Sequence, residues 1–141
     1  MLIGYARVST EDQKLDLQRD ALREAGCERI FEEKVSAARR GPMPARQELL
    51  DYGRPGDVAV VFKLDRLGRS LRDLVDVVNL LGKRGVALRS LHESIDTTSP
   101  AGKLTFHIFA ALAEFEAAVI RDRTRAGLQA ARLRGMKLGR P

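Results

Sequence analysis

The stretch DVAVVFKLDRLGRSL, residues 57–71, decides how this chain is built. Its apolar run, Val58 to Phe62, has the length and β-branched content of a buried strand. The run stops at Lys63, and Asp65, Arg66 and Arg69 follow before Ser70 opens a helical pattern. Ser70 with Asp73 three residues later is a capping pair, and Leu71, Leu74, Val75, Val78 and Leu81 recur at helical spacing towards Gly85. A strand that feeds a helix through a short turn is the building unit of an α/β fold.

The same unit is legible on either side. Apolar segments at 2–8, 29–32, 57–63 and 86–91 alternate with helical patterns, which predicts an α/β fold with a mainly parallel sheet flanked by helices. The first helix is expected to start at Thr10, with Gln13 completing a capping box, and to stop at Gly26. The second spans about Ala45 to Tyr52, opened by Pro44 and closed by GRPGD, with the loop SAARRGPMP before it. From Ser99 and Pro100 a pattern of some 30 residues runs without an internal proline, roughly 45 Å of helix. Between Leu104 and Ile120 its only charges are Glu114 and Glu116, and apolar groups occupy nearly every side. Such a helix needs burial all round. One face is expected on the sheet, and the other, with His107, Ile108, Ala111, Leu112, Phe115 and Val119, on a second subunit.

A chain of 141 residues with 44% apolar content is one domain's worth of sequence. Cys27 is the single cysteine, so an internal disulfide is excluded, and no long apolar run or signal-like N-terminus is present. A soluble, cytoplasmic protein without membrane partners is expected. The net charge of +6 is concentrated at one end: Arg121, Arg123, Arg125, Arg132, Arg134, Lys137 and Arg140 face Asp122 alone, leaving 18 of the 25 basic and 18 of the 19 acidic groups in residues 1–120. A basic arm on a neutral domain is a footprint of nucleic-acid binding, the alternative being a solvated helix face.

Carboxyl ends of parallel strands share one edge, where ligands bind. The first strand ends at Arg7-Val8-Ser9 and the third at Lys63-Leu64-Asp65-Arg66. Their meeting would join one hydroxyl, the guanidinium groups of Arg7, Arg66 and Arg69, and the Asp65 carboxylate, with a helix N-terminus behind the hydroxyl. Arginine forks match phosphate oxygens, and helix N-termini favour anions. Ser9 is then a candidate nucleophile towards a phosphodiester, with arginines neutralising the charge and Asp65 a candidate general acid or base. His92 and His107 stand apart, and no Cys or His cluster has metal-ligand spacing, so neither a metal nor a cofactor is expected.

GYARVSTEDQKLDLQRDAL, VVFKLDRLGRSLRDLV, SLHESIDTTSPAGKLTFHIFAALAEFE and IRDRTRAGLQAARLRG together resemble the catalytic domain of serine recombinases of the resolvase and DNA invertase family, closest to the invertases. The resemblance implies a catalytic α/β domain at 1–100, a dimerisation and DNA-contacting helix at 101–134, and at 135–141 the start of a linker to a DNA-binding domain that is absent here. It implies site-specific recombination of double-stranded DNA. Ser9 attacks to form a 5′-phosphoserine link, a homodimer assembles to a tetramer, strands exchange and the DNA is religated without ATP. It gives Arg7, Arg66 and Arg69 to the scissile phosphate, places Asp65, Gln13 and Gln18 beside them, and admits an accessory DNA-bending protein as partner.

Four positions depart from the family pattern. Met43 stands where an arginine is usual, Ala37 where glycine is common, and Ala117 and Asp122 replace a frequent arginine and glutamate of the long helix. Arg40 and Arg46 are the neighbours that could supply the guanidinium missing at 43. Met43 also keeps open a rival reading, a DNA-binding dimer with this fold that does not cleave; a phosphate-binding α/β regulatory domain is a third.

Overall fold

The computed structural model describes residues 1–9, 15–35, 41–133 and 135. In chain order these form β1 (Leu2–Val8), α1 (Leu15–Glu24), β2 (Arg29–Lys34), α2 (Pro44–Tyr52), β3 (Val58–Val61), a 3-10 turn (Leu64–Arg66), α3 (Leu71–Lys83), β4 (Ala87–Ser90), β5 (Ile95–Asp96) and α4 (Pro100–Leu133). The sheet runs β2-β1-β3-β4-β5, with the first four strands parallel and β5 antiparallel to β4. The expected α/β architecture is therefore present.

Alternation along β1 divides the core. Ile3 and Tyr5 face a large cluster with Ala59, Val61 and Leu88, covered by Leu49 of α2 and by Leu74, Val77 and Leu81 of α3. Ala6 and Val60 face a smaller cluster closed by Leu22 of α1. α1 sits close because Gly4 has no side chain: a Cβ there would stand 3.1 Å from both Ile30 and Leu22. The register sets what reaches the sheet edge. Tyr5 pairs with Val61, so Arg7 extends two residues beyond the last paired residue of β3, level with the charged turn.

One feature differs from the sequence expectation. β5 lies outside the four strand segments expected, because Ile95 and Asp96 are two residues among SIDTTS with no apolar period to mark them. α4 meets the sheet at its edge strand, β5, and packs mainly against α3. Its first turn is seated by Gly102, where a Cβ would fall 1.8 Å from the Asp96 carbonyl oxygen, and Phe106 enters the large core cluster. Beyond Ala113, the last buried residue of α4, the helix runs on for 20 residues, roughly 30 Å. Within one chain its apolar face is uncovered: Phe115 is 65% and Ile120 63% exposed, with Leu104, Ile108 and Leu112 also exposed. Among the described residues no helix is long and apolar enough to cross a membrane.

Candidate active site

Two residues past the β1–β3 pairing, Arg7 is 3% exposed. Its guanidinium reaches across to the turn after β3: Nε donates to the Arg66 carbonyl at 3.0 Å, and Nη2 to the Asp65 carbonyl at 2.5 Å and the Gly68 carbonyl at 3.3 Å. The sequence offered Arg7 as a phosphate ligand; the structure makes it first the strut of the turn that carries Arg66 and Arg69. Gly68 lets that turn lie against α3, since a Cβ would stand 2.7 Å from the backbone of Leu74. Burial, and then the like charges of Arg66, Arg46 and Arg69, lower the pKa of Arg7 from its ordinary value. A buried, mutually repelling guanidinium group calls for an anion.

Its hydrogen-bonding state says the same. Arg7 Nη1 and Arg69 Nε and Nη2 are buried with no hydrogen-bond partner among the described residues. Unfilled buried donors of charged groups are costly, and a phosphate offers oxygens to several at once. Ser9 follows the end of β1, half-buried, two residues after Arg7. Gln18 of α1, expected among the polar residues of this cluster, grips the backbone of Arg7: Arg7 N–H donates to its Oε1 at 3.3 Å and its Nε2 donates to the Arg7 carbonyl at 3.0 Å. This pairing fixes the strand end from which Ser9 projects. A cleft of about 260 Å³ opens alongside, lined by Gln18, Phe62, Lys63, Arg66 and His92 among others.

The Asp65 carboxylate lies 3.7 Å from Arg66 Nε, and its side chain is 72% exposed. Its carbonyl, not its carboxylate, meets Arg7. Met43 is 6% exposed in the large core cluster, so an apolar side chain fills the position where the family pattern has a charged one. Arg46 is engaged elsewhere, with Asp73 and the Leu67 carbonyl. Gln13, Ala37, Arg40, Arg134, Lys137 and Arg140 lie outside the described residues, whereas Arg121, Arg123, Arg125 and Arg132 are exposed along α4. Burial pushes the Cys27 thiol up to about 11, so it stays protonated at neutral pH and is no rival nucleophile. Among the described residues no three His, Cys, Asp or Glu side chains gather as metal ligands.

Sequence reading missed Glu93, whose carboxylate accepts the Leu64 N–H at 3.2 Å and the Ser90 hydroxyl, capping the start of the turn from the loop after β4. No local pattern marks such a contact, because 29 residues separate its partners.

A family model described as Resolvase, N terminal domain, matches residues 2–137. The chain belongs to the resolvase family. Over all 141 residues it is 54% identical to the serine recombinase gin of Escherichia phage Mu, of which it spans 72%. It is 50% identical over 139 residues to the DNA-invertase hin of Salmonella typhimurium, spanning 99% of this chain and 73% of that one. Among solved structures, the N-terminal catalytic domain of TP901-1 integrase superposes with a TM-score of 0.73 at 31% identity, covering 84% of this chain and 98% of that domain. A resolvase-family site-specific recombinase from Streptococcus pneumoniae superposes with a TM-score of 0.74 at 25% identity, over 93% of this chain and 97% of that one. The resolvase fold expected from the sequence is thus the fold observed.

Proposed function

We propose that this resolvase-family chain is a site-specific serine recombinase of the invertase type, in which Ser9 cuts double-stranded DNA. The observation that carries this reading is the set of buried guanidinium donors on Arg7 and Arg69 that have no hydrogen-bond partner among the described residues, at the strand end that presents Ser9. Ser9 Oγ attacks the scissile phosphorus. As the Oγ–P bond forms, the bond from phosphorus to the 3′ oxygen breaks, the serine proton leaves, and the departing 3′ oxygen takes a proton to become a free hydroxyl. The 5′ phosphate stays esterified to Ser9, so the phosphoester bond is conserved, and attack by a 3′ hydroxyl reverses the step without ATP. Arg7, Arg66 and Arg69 neutralise charge growing on the non-bridging oxygens. Asp65, outward and 3.7 Å from Arg66 Nε, adds negative charge beside Arg66 and stays the candidate general acid or base. Gln18 positions the strand end, and Gln13 belongs to the same polar surroundings.

Assembly follows from α4. Its exposed stripe of Ile108, Ala111, Leu112 and Phe115, continued by Val119 and flanked by His107, suits a dimer, and two dimers form the tetramer in which strands exchange. The arginines from Arg121 onward then lie along DNA phosphates, which position the chain and carry no sequence information. The reaction belongs where the DNA is, in the cytoplasm.

One observation favours the second reading, a DNA-binding dimer that does not cleave: Met43 removes a guanidinium that the family pattern supplies. A nicked crossover-site duplex separates the two. The parent chain is expected to form a covalent protein–DNA adduct in the presence of EDTA, and Ser9→Ala to form none while folding and dimerising normally. An adduct from Ser9→Ala would end the serine reading, and none from the parent would favour the binding-only dimer.

A further inference from the structure

Arg46 lies on the first turn of α2, outside the charged turn. Its Nη1 donates to the Leu67 carbonyl at 3.0 Å and to Asp73 Oδ2 at 2.7 Å, and Nη2 reaches Asp73 Oδ1 at 3.4 Å. The same Oδ2 accepts the Arg69 backbone N–H at 2.8 Å, while the Asp73 N–H donates to Ser70 Oγ at 3.1 Å. α2 is itself fixed to the sheet. Glu33 of β2 accepts the Ala45 and Arg46 backbone N–H groups at 3.1 and 3.2 Å, together with the Tyr5 hydroxyl. Arg7 takes the carbonyls of Asp65, Arg66 and Gly68, and Arg46 takes that of Leu67. Four consecutive carbonyls of the turn are therefore held by two guanidinium groups from two different elements.

We propose that Arg46 and Asp73 form a positioning clamp that sets the turn bearing Arg66 and Arg69, and that Arg46 itself does not touch the phosphate. What the positioned arginines do rests on the serine reading; the clamp does not. The pair can hold a geometry because it is shielded, with side chains 17% and 27% exposed, and because a guanidinium fork fixes direction as well as distance. Burial alone would raise the Asp73 pKa, but the hydrogen bonds from Arg46 and the Arg69 N–H outweigh it and hold the carboxyl below its ordinary value, ionised at neutral pH. Moving a catalytic group by an ångström costs on the order of 10²-fold in rate.

A double-mutant cycle tests the clamp. Single-turnover adduct formation on a nicked crossover-site duplex and amide exchange at Arg69 are measured for the parent, Arg46→Ala, Asp73→Ala and the double variant, with melting curves to confirm folding. Arg46→Lys serves in place of Arg46→Ala if the latter does not fold. Each single change is expected to slow the adduct by about 10²-fold and to speed Arg69 exchange, and the double variant to be no slower than the worse single one. Additive losses would overturn the clamp. So would a slow Arg46→Ala beside an unimpaired Asp73→Ala, which would make Arg46 a direct phosphate ligand. Should the parent form no adduct, the serine reading falls and exchange alone decides: faster exchange in both single variants upholds the clamp, and unchanged exchange overturns it.

Discussion

Arg7→Ala is expected to reduce covalent attachment to DNA by about 10³-fold or more, since loss of one charged donor at a transition state costs about 10²- to 10³-fold and this donor also organises the others. Its Nε and Nη2 hold three carbonyls of the turn that carries Arg66 and Arg69, and its Nη1, without a partner among the described residues, is proposed to meet the phosphate. Alanine removes both contributions. The fold should survive with reduced stability, because each buried carbonyl left without a donor costs roughly 1–3 kcal/mol unless water replaces it. Arg7→Lys should rescue little: an ammonium on a flexible stem cannot span three carbonyls and still face a phosphate. Denaturant titration beside single-turnover cleavage separates the two losses. Cleavage within tenfold of the parent in a folded Arg7→Ala would show that the phosphate is held elsewhere.

Phe115→Glu is expected to turn the proposed α4 dimer into monomers. Leu104, Ile108, Leu112 and Phe115 follow one another at spacings of four, four and three, the rhythm of a helix–helix seam, and all four are exposed in the single chain. A carboxylate buried there without a partner costs about 3–5 kcal/mol, more than a hundredfold in Kd. The domain itself should be unharmed, because Phe115 lies past Ala113 and takes no part in the core. Light scattering and melting curves together check this. An unchanged dimer would place the contact on another face.

What the sequence disclosed and what it hid follow from range. The buried strand at 58–61, the Ser70–Asp73 cap and the start of α4 at Pro100 are written in neighbouring residues, through apolar runs, a side chain three positions on, and a proline at a first turn. Ser9 and the Asp65-Arg66 turn could be brought together because parallel topology forces strand ends onto one edge. Contacts across the fold left no such mark. Arg46 meets Asp73 across 27 positions, and its guanidinium faces the turn because α2 is seated on the sheet, by Glu33 at its first turn and by Leu49 and Leu50 in the core. Its place in a motif makes Met43 a missing ligand, whereas its burial makes it a core residue, so an arginine introduced there would have to leave an apolar cluster. Two-residue β5 carries too little pattern to be read at all.

Covalent bonding of Ser9 to DNA is the step on which the serine mechanism turns. Its most direct test is to trap the adduct on a nicked crossover-site duplex, digest the protein and the DNA, and fragment the linked peptide by mass spectrometry. The expected product is a nucleotide joined through its 5′ phosphate to Ser9, in a peptide containing Arg7 or its cut end, with a free 3′ hydroxyl on the other side of the break. A phosphate carried by Tyr5, Tyr52 or any other side chain, or a linkage through the 3′ phosphate, would contradict it.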